Sequence, residues 1–345
     1  MSVLRKIVYP FSLVYGEITA ARNWLYDKGI LKSTRFDIPV IVVGNLSVGG
    51  TGKTPQVEYL VRLLQDHYKI AILSRGYKRA TKGFVIANEH MTAVDIGDEP
   101  LQYYKKFKGI TVAVDADRVH GITQLTQLKH RPEVILLDDA FQHRKVTAGL
   151  TILLTAFNDL YADDTMLPTG NLREKTKGAA RAQIVVVTKG PDKISMKEQF
   201  AIGKKLGITR SQTLFFSRIT YASEVIGPTN IPLCSLKNYE VLLVTGIAKT
   251  KPLENFLLTQ NVKFTHLKYR DHHNFTEADI KQIQESYANL TGASTLILTT
   301  EKDYVRSFSG LNNWYYLPIM TSFIDHHEDF DQLVLNYVTK HALKA

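Results

Sequence analysis

The chain has 345 residues, 44% apolar and 22% charged, enough for two domains with substantial cores and without low-complexity tracts or repeats. Lys and Arg number 43 against 33 Asp and Glu, and the resulting net charge of +10 favours an anionic partner: nucleic acid, an acidic membrane surface or a phosphorylated substrate. A single cysteine, Cys234, excludes an intramolecular disulfide and a thiolate metal cluster, and no apolar run is long enough to span a bilayer.

Residues 1–35 come first. Leu4, Ile7, Val8, Phe11, Leu13, Val14, Tyr15, Ile18, Trp24, Leu25 and Tyr26 are punctuated by Arg5, Lys6, Arg22 and Lys28, the composition of a helix lying in a bilayer interface. Pro10 predicts a kink or a division into two pieces. The same pattern also suits a helix packed on a neighbouring domain.

Ile38 to Val43 is a β-branched apolar run that reads as a buried parallel strand. It leads into Gly44-Asn45-Leu46-Ser47-Val48-Gly49-Gly50-Thr51-Gly52-Lys53-Thr54, and Leu60, Val61, Leu63 and Leu64 then predict an amphipathic helix. Strand, glycine-rich turn and helix are the context of a phosphate-binding loop, G-x-x-x-x-G-K-[ST], here with Ser47 at the first position. In such a loop, successive amides and a helix N-terminus face the phosphates. Ser47 to Thr54 would cradle a nucleoside triphosphate, with Lys53 on its β- and γ-phosphates and Thr54 on Mg²⁺.

Further strands are expected at 69–73, 110–114, 134–137, 150–154, 183–187 and 213–216, alternating with helices. That order predicts an α/β fold, a parallel sheet covered on both faces. Asp138-Asp139 closes the strand at 134–137 and reads as a Walker-B-like acid, one carboxylate holding Mg²⁺ directly or through water. A polar run, Ala140-Phe141-Gln142-His143-Arg144, follows it. Asp98, in the expected loop Gly97-Asp98-Glu99-Pro100, is by itself more readily a turn acid than a catalytic one. Arg118 and the pair Arg173-Glu174 supply charge suited to phosphate groups.

Residues 218–236, with Gly227, Pro228 and Pro232, read as a linker, and a second βα series occupies 237–345. Between its strands lies Arg270-Asp271-His272-His273-Asn274-Phe275, whose adjacent histidines offer a titratable imidazole at least as readily as a tetrahedral metal site. A near-copy at 325–329, Asp-His-His-Glu-Asp, reads as a solvated loop. The expected organisation is an interface helix region (1–35), a P-loop domain (36–217), the linker and a smaller α/β lobe.

Taken in order from Gly44 to Asp303, the motifs G-N-L-S-V-G-G-T-G-K-T-P, S-R-G-Y, G-D-E-P, D-x-D-R, L-D-D-A-F-Q-H-R, G-x-L-R-E, V-T-K-G, D-H-H-x-F-T-x-x-D and T-E-K-D resemble the tetraacyldisaccharide 4′-kinase family, also called lipid A 4′-kinase. Ser47 looks like that family's own form of the loop. The resemblance implies ATP- and Mg²⁺-dependent phosphorylation of the 4′-hydroxyl of a membrane-embedded tetraacyl disaccharide 1-phosphate, a step of lipid A biosynthesis. It implies a peripheral enzyme on an anionic membrane surface, the cytoplasmic face of a bacterial inner membrane, with no protein partner. It further implies that Asp98 is the general base, paired with His272, that Arg118 and Arg173 neutralise phosphate charge, and that Glu174 holds an arginine or the acceptor. His272 is preferred to His273 because it directly follows Asp271.

Two rivals share the loop. A deviant-Walker ATPase would carry lysine where Val48 stands, and a GTPase would place Asp192 one residue nearer Lys189. The dispersed lysines, without a zinc finger or RNP-type strand, argue against a nucleic-acid module.

Overall fold

The computed structural model describes residues 3–271 and 273–342. The first helix, α1 (Val3–Asp27), runs on through Pro10 as one element. Proline removes one N–H from the ladder, and the contacts α1 makes further along hold the helix without it.

The first lobe follows in alternating order. It comprises β1 (Val40–Asn45), α2 (Lys53–Leu64), β2 (Ile70–Ser74), a short β3 (Val85–Ile86), α3 (Ala93–Ile96), α4 (Asp98–Lys106) and β4 (Thr111–Val114). Then come α5 (Arg118–Thr126), β5 (Val134–Asp138), β6 (Leu150–Ala156), β7 (Ile184–Thr188), α6 (Met196–Leu206) and β8 (Thr213–Tyr221). Strands β1, β2, β5 and β7 are buried along their whole length, as wholly apolar strands covered on both faces must be. On one face of β1, Ile41 and Val43 pack with Val57, Leu60 and Val61 of α2; on the other, Val40 and Val42 pack with Leu73, Ile122 and Leu125.

A ribbon of β9 (Glu224–Val225) and β10 (Ile231–Pro232) lies in the expected linker. The second lobe continues with β11 (Glu240–Thr245), α7 (Lys251–Thr259), β12 (Lys263–Lys268), α8 (Glu277–Ala288), β13 (Thr295–Thr300), the short α9 (Glu301–Asp303), a π-helical turn over Tyr304–Phe308 and β14 (Trp314–Leu317). Its sheet is parallel throughout, in the order β12-β11-β13-β14.

The stretch expected to form the second lobe, 237–345, is divided. Its last strand, β15 (Ile319–Phe323), pairs antiparallel with β8, with Ile319 opposite Tyr221 and Phe323 opposite Ser217. Ala222 N–H donates to Pro318 O at 3.0 Å just beyond that ladder. The last helix, α10 (His327–Ala342), then buries Phe330, Val334 and Val338 in the first lobe's core. The first sheet therefore has nine strands in the order β15-β8-β7-β6-β1-β5-β2-β4-β3.

Two short segments also differ from expectation. Gly97-Asp98-Glu99-Pro100 opens helix α4, with Asp98 and Glu99 in its first turn and Lys105 and Lys106 in its last, the arrangement the helix dipole favours. Proline in a first turn displaces no intrahelical hydrogen bond. His327 opens α10 with Glu328 and Asp329 in its first turn, so only the start of the acidic near-copy is loop.

Strand β1 lies between β5 and β6, where the strand order reverses. Ligands of open parallel sheets sit in the crevice at such a switch point. The glycine-rich loop leaves β1 there.

Candidate active site

The loop between β1 and α2 is shaped by its own first residues. A Cβ on Gly44 would fall 2.6 Å from Phe141 Cβ, so only glycine lets the 138–142 turn lie against the loop. Gly52, at φ 86°, makes the left-handed entry into α2. Asn45, fully buried, donates from Nδ2 to Thr51 Oγ1 at 2.8 Å and accepts from Lys53 Nζ at 3.4 Å. From the other side, the Thr188 hydroxyl donates to Thr51 O at 2.7 Å and Lys189 Nζ donates to Gly50 O. Burial, then repulsion from Lys249, lowers the Lys189 pKa.

A second segment clamps the entrance. Val48 N–H donates to Asn171 O at 2.8 Å, Arg173 N–H to Leu46 O at 2.8 Å, and Ser47 bridges Leu172. Arg173 thereby arrives beside the loop, and its NH1 donates to both oxygens of Asp139, at 2.9 and 3.0 Å. Lys53 Nζ lies 3.5 Å from Asp139 Oδ1. Lys53, Asp139 and Arg173 form one charged cluster.

The two adjacent aspartates are driven apart. Burial alone would raise Asp139, but Lys53 and Arg173 hold it below the usual carboxylate range. Asp138 is pushed up to about 7, first by burial and then by the charge of Asp139. Its Oδ1 is buried with no hydrogen-bond partner. An orphaned carboxylate oxygen next to Asp139, which contacts Lys53 of the phosphate loop, fits a Mg²⁺ site, since Mg²⁺ takes one or two carboxylates and completes its shell with phosphates and water. Thr54, in the first turn of α2, is half-buried.

Arg118 is 1% exposed. Its NH1 donates to Asp115 O and its NH2 to Asp138 O at 3.4 Å, and burial lowers it to about 10. It braces the main chain beneath the aspartate pair. Glu174 is also buried and accepts from Asn23 Nδ2 at 2.7 Å, Arg181 NH2 at 2.9 Å and Gln142 Nε2 at 3.2 Å. Gln142 Nε2 donates in turn to Asn45 O at 2.9 Å. Glu174 thus holds an arginine, Arg181, and fastens α1 and the 140–144 turn to the phosphate loop.

Asp98 belongs to a different contact set. At the start of α4, its Oδ2 lies 3.5 Å from Arg306 NH1 and 3.7 Å from Lys302 Nζ, both from the second lobe. Arg306 NH2 also donates to Asp303 Oδ1 at 2.7 Å. The helix nonetheless leans on the aspartate turn: the charge of its Glu99 is among those that raise Asp138. His272 lies outside the described residues. His273 stacks on Tyr269 and bonds Asp279 at 3.0 Å, a fastening of the segment that enters α8.

Sequence reasoning passed over Asn45, Lys189, Lys302 and Arg306. The first three lie within quoted motifs, which was the available signal; Arg306 sits in the π-helical turn beyond the last of them, with none.

Helix α1 presents two faces. Ser12, Gly16, Thr19 and Asn23 recur at helical spacing toward the lobe, where Ser12 donates to Thr169 Oγ1 at 2.6 Å, and the neighbouring Tyr15 hydroxyl donates to Arg173 O at 3.1 Å. Phe11, Leu13, Val14, Ile18 and Trp24 are exposed. No helix among the described residues is long and apolar enough to cross a membrane.

The profile of the family described as tetraacyldisaccharide-1-P 4′-kinase matches residues 4–339. The tetraacyldisaccharide 4′-kinase of Flavobacterium johnsoniae is 54% identical to this chain over 98% of each protein. That of Bacteroides thetaiotaomicron is 45% identical over 97% of this chain and 93% of its own length. Among solved structures, LpxK from Aquifex aeolicus in complex with ATP superposes with a TM-score of 0.78 at 32% identity, covering 97% of this chain and all of that one.

Proposed function

The chain belongs to the tetraacyldisaccharide-1-P 4′-kinase family, and from that premise we infer that it transfers the γ-phosphoryl group of ATP to the 4′-hydroxyl of a tetraacyl disaccharide 1-phosphate, in lipid A biosynthesis. The observation that carries the reading is the cluster of Lys53, Asp139 and Arg173 beside a buried, partnerless Asp138 oxygen at the phosphate loop.

Phosphoryl transfer rests on positioning and charge stabilisation. The amides of 47–54 and the N-terminus of α2 hold the β- and γ-phosphates, and Lys53 follows the charge that develops on the γ-oxygens. Thr54 and Asp138 would hold Mg²⁺, which when bound would supply neutralisation of phosphate charge. Asp139 keeps Lys53 and Arg173 aimed at one place, and Arg118 supports the turn from below. Asp98, paired with His272, would accept the proton of the acceptor hydroxyl.

Lipid-dependent turnover tests the reading against a membrane-associated ATPase of another class. Labelled γ-phosphate should appear on the lipid, with little release when lipid is omitted. Equal hydrolysis with and without lipid would favour the ATPase.

The raised Asp138 gives a pH signature. Mg²⁺ requires the ionised carboxylate, so below about pH 7 a proton competes with the metal. The Mg²⁺ concentration for half-maximal activity should rise roughly fivefold as pH falls from 7 to 6, steepen toward about tenfold per unit below that, and level off above about 8. A flat dependence between pH 6 and 7 would show that Asp138 is not a direct ligand.

The exposed face of α1 supports peripheral attachment to an anionic bilayer, at the cytoplasmic face of the inner membrane. Replacing Phe11, Val14 and Ile18 by serine should lower co-sedimentation with anionic vesicles by about tenfold or more, because interfacial affinity follows buried apolar area. Nucleotide affinity should stay unchanged. Removing the whole helix is a poorer test, since Ser12, Tyr15 and Asn23 hold the segment that carries Arg173. Undiminished vesicle binding in the triple variant would leave α1 as a packing element only.

A further inference from the structure

Helix α4 is held at both ends by one short piece of the second lobe. At its start Asp98 meets Arg306 and Lys302, at 3.5 and 3.7 Å. At its end Lys106 Nζ donates to Glu301 Oε2 at 2.8 Å, and Lys105 Nζ to Val305 O at 3.4 Å. Lys106 has a second partner, Glu58 Oε2 at 2.7 Å, on the helix that begins with Lys53 and Thr54. Gln102 of α4 adds a hydrogen bond to Glu58 Oε1 at 2.9 Å, and Arg62 lies 3.6 Å from Oε2.

The chemistry of this cluster is unusual. Glu58 and Glu301 are 1% and 5% exposed, yet converge on one ammonium. Burial and then the charge of Glu58 push Glu301 up to about 7. Charges buried this deeply add little net stability over apolar side chains of the same volume, whereas they fix geometry because no other arrangement satisfies them. Their place decides what geometry is fixed: a cavity of about 170 Å³ adjoins them, lined by Gln102 and Lys105 from the first lobe and Tyr304 and Tyr316 from the second.

We propose that Lys106 is a positioning residue for phosphoryl transfer: by gripping Glu58 and Glu301 together it sets the distance between the nucleotide held by α2 and the acceptor hydroxyl met by Asp98. Arg62 pairs with Glu58 and lies over the Phe107 ring, whereas Lys106 bonds both carboxylates directly and so joins the three elements. The proposal rests on Asp98 being the base.

Glu301→Leu is the cleaner variant, since it cuts the inter-lobe half of the bridge and leaves Lys106 paired with Glu58. It should lower kcat about 10- to 100-fold, the scale of a small misplacement of reacting groups, with the ATP dissociation constant changed less than about twofold. Lys106→Met should do the same, and Lys106→Arg should recover most of the rate. In an Asp98→Ala background neither Glu301→Leu nor Lys106→Met should slow the enzyme further. Unchanged kcat in Glu301→Leu, with or without a lower Tm, overturns the proposal, as does a loss that multiplies with that of Asp98→Ala. Near-normal activity of Asp98→Ala by itself would instead remove the base assignment.

Discussion

Lys53→Ala is expected to slow phosphoryl transfer by at least about 100-fold, the loss typical of a preorganised charge at the point where negative charge develops. The site keeps its shape in this variant, because Asp139 remains bonded to Arg173 and Asn45 still bonds Thr51. Removing Lys53 also takes away the strongest of the charges that hold Asp139 down, so the aspartate pair becomes harder to ionise. The measurement is kcat at saturating ATP and lipid, with circular dichroism to verify folding. Turnover near the normal rate in a folded Lys53→Ala protein would remove Lys53 from the mechanism.

Asp98→Ala is expected to cost about 100-fold or more in kcat, the usual contribution of a general base, with ATP affinity intact. Its side chain stands at the start of α4, 16% exposed, facing cations of the other lobe. A base at that position would be complete only when both lobes are together, which would limit hydrolysis of ATP by water. Paired with His272→Ala, the expected pattern is strong non-additivity, the double variant about as slow as the worse single one. Losses that simply multiply would mean that His272 acts independently of Asp98, for instance on the lipid's own phosphate.

What the sequence revealed was local. The apolar run before Gly44, the glycines and the Lys-Thr pair fix strand, loop and helix within a few residues, and each constraint reinforces the next. Asp138-Asp139 was legible for the same reason, sitting at the end of an uninterrupted apolar strand. For Glu174 the resemblance left an arginine or the acceptor open; the fold gives it Arg181 and fastens it to α1 through Asn23, a contact with no local sign. The pairing of β15 with β8 has no local signature, since the whole second sheet separates them in sequence, and the residues of β15 and α10 fell inside the range read as the second lobe. Lys106 was invisible for a different reason. Two lysines in the last turn of a helix read as a solvated, dipole-matched end, and only the fold brings Glu58 and Glu301 to one of them.

The meeting of Tyr221 with Ile319 makes the second lobe an insertion whose entrance and exit touch. A body attached through one strand can swivel about it; one attached through a hydrogen-bonded pair cannot swivel without breaking the ladder. What remains soft is flexing of that ribbon out of its own plane. Any movement of the lobe would then follow something close to a single arc, and would bring the same residues to the same place without an orientational search. The entropy of alignment, which a flexible tether would exact at every turnover, is removed once, when the chain folds.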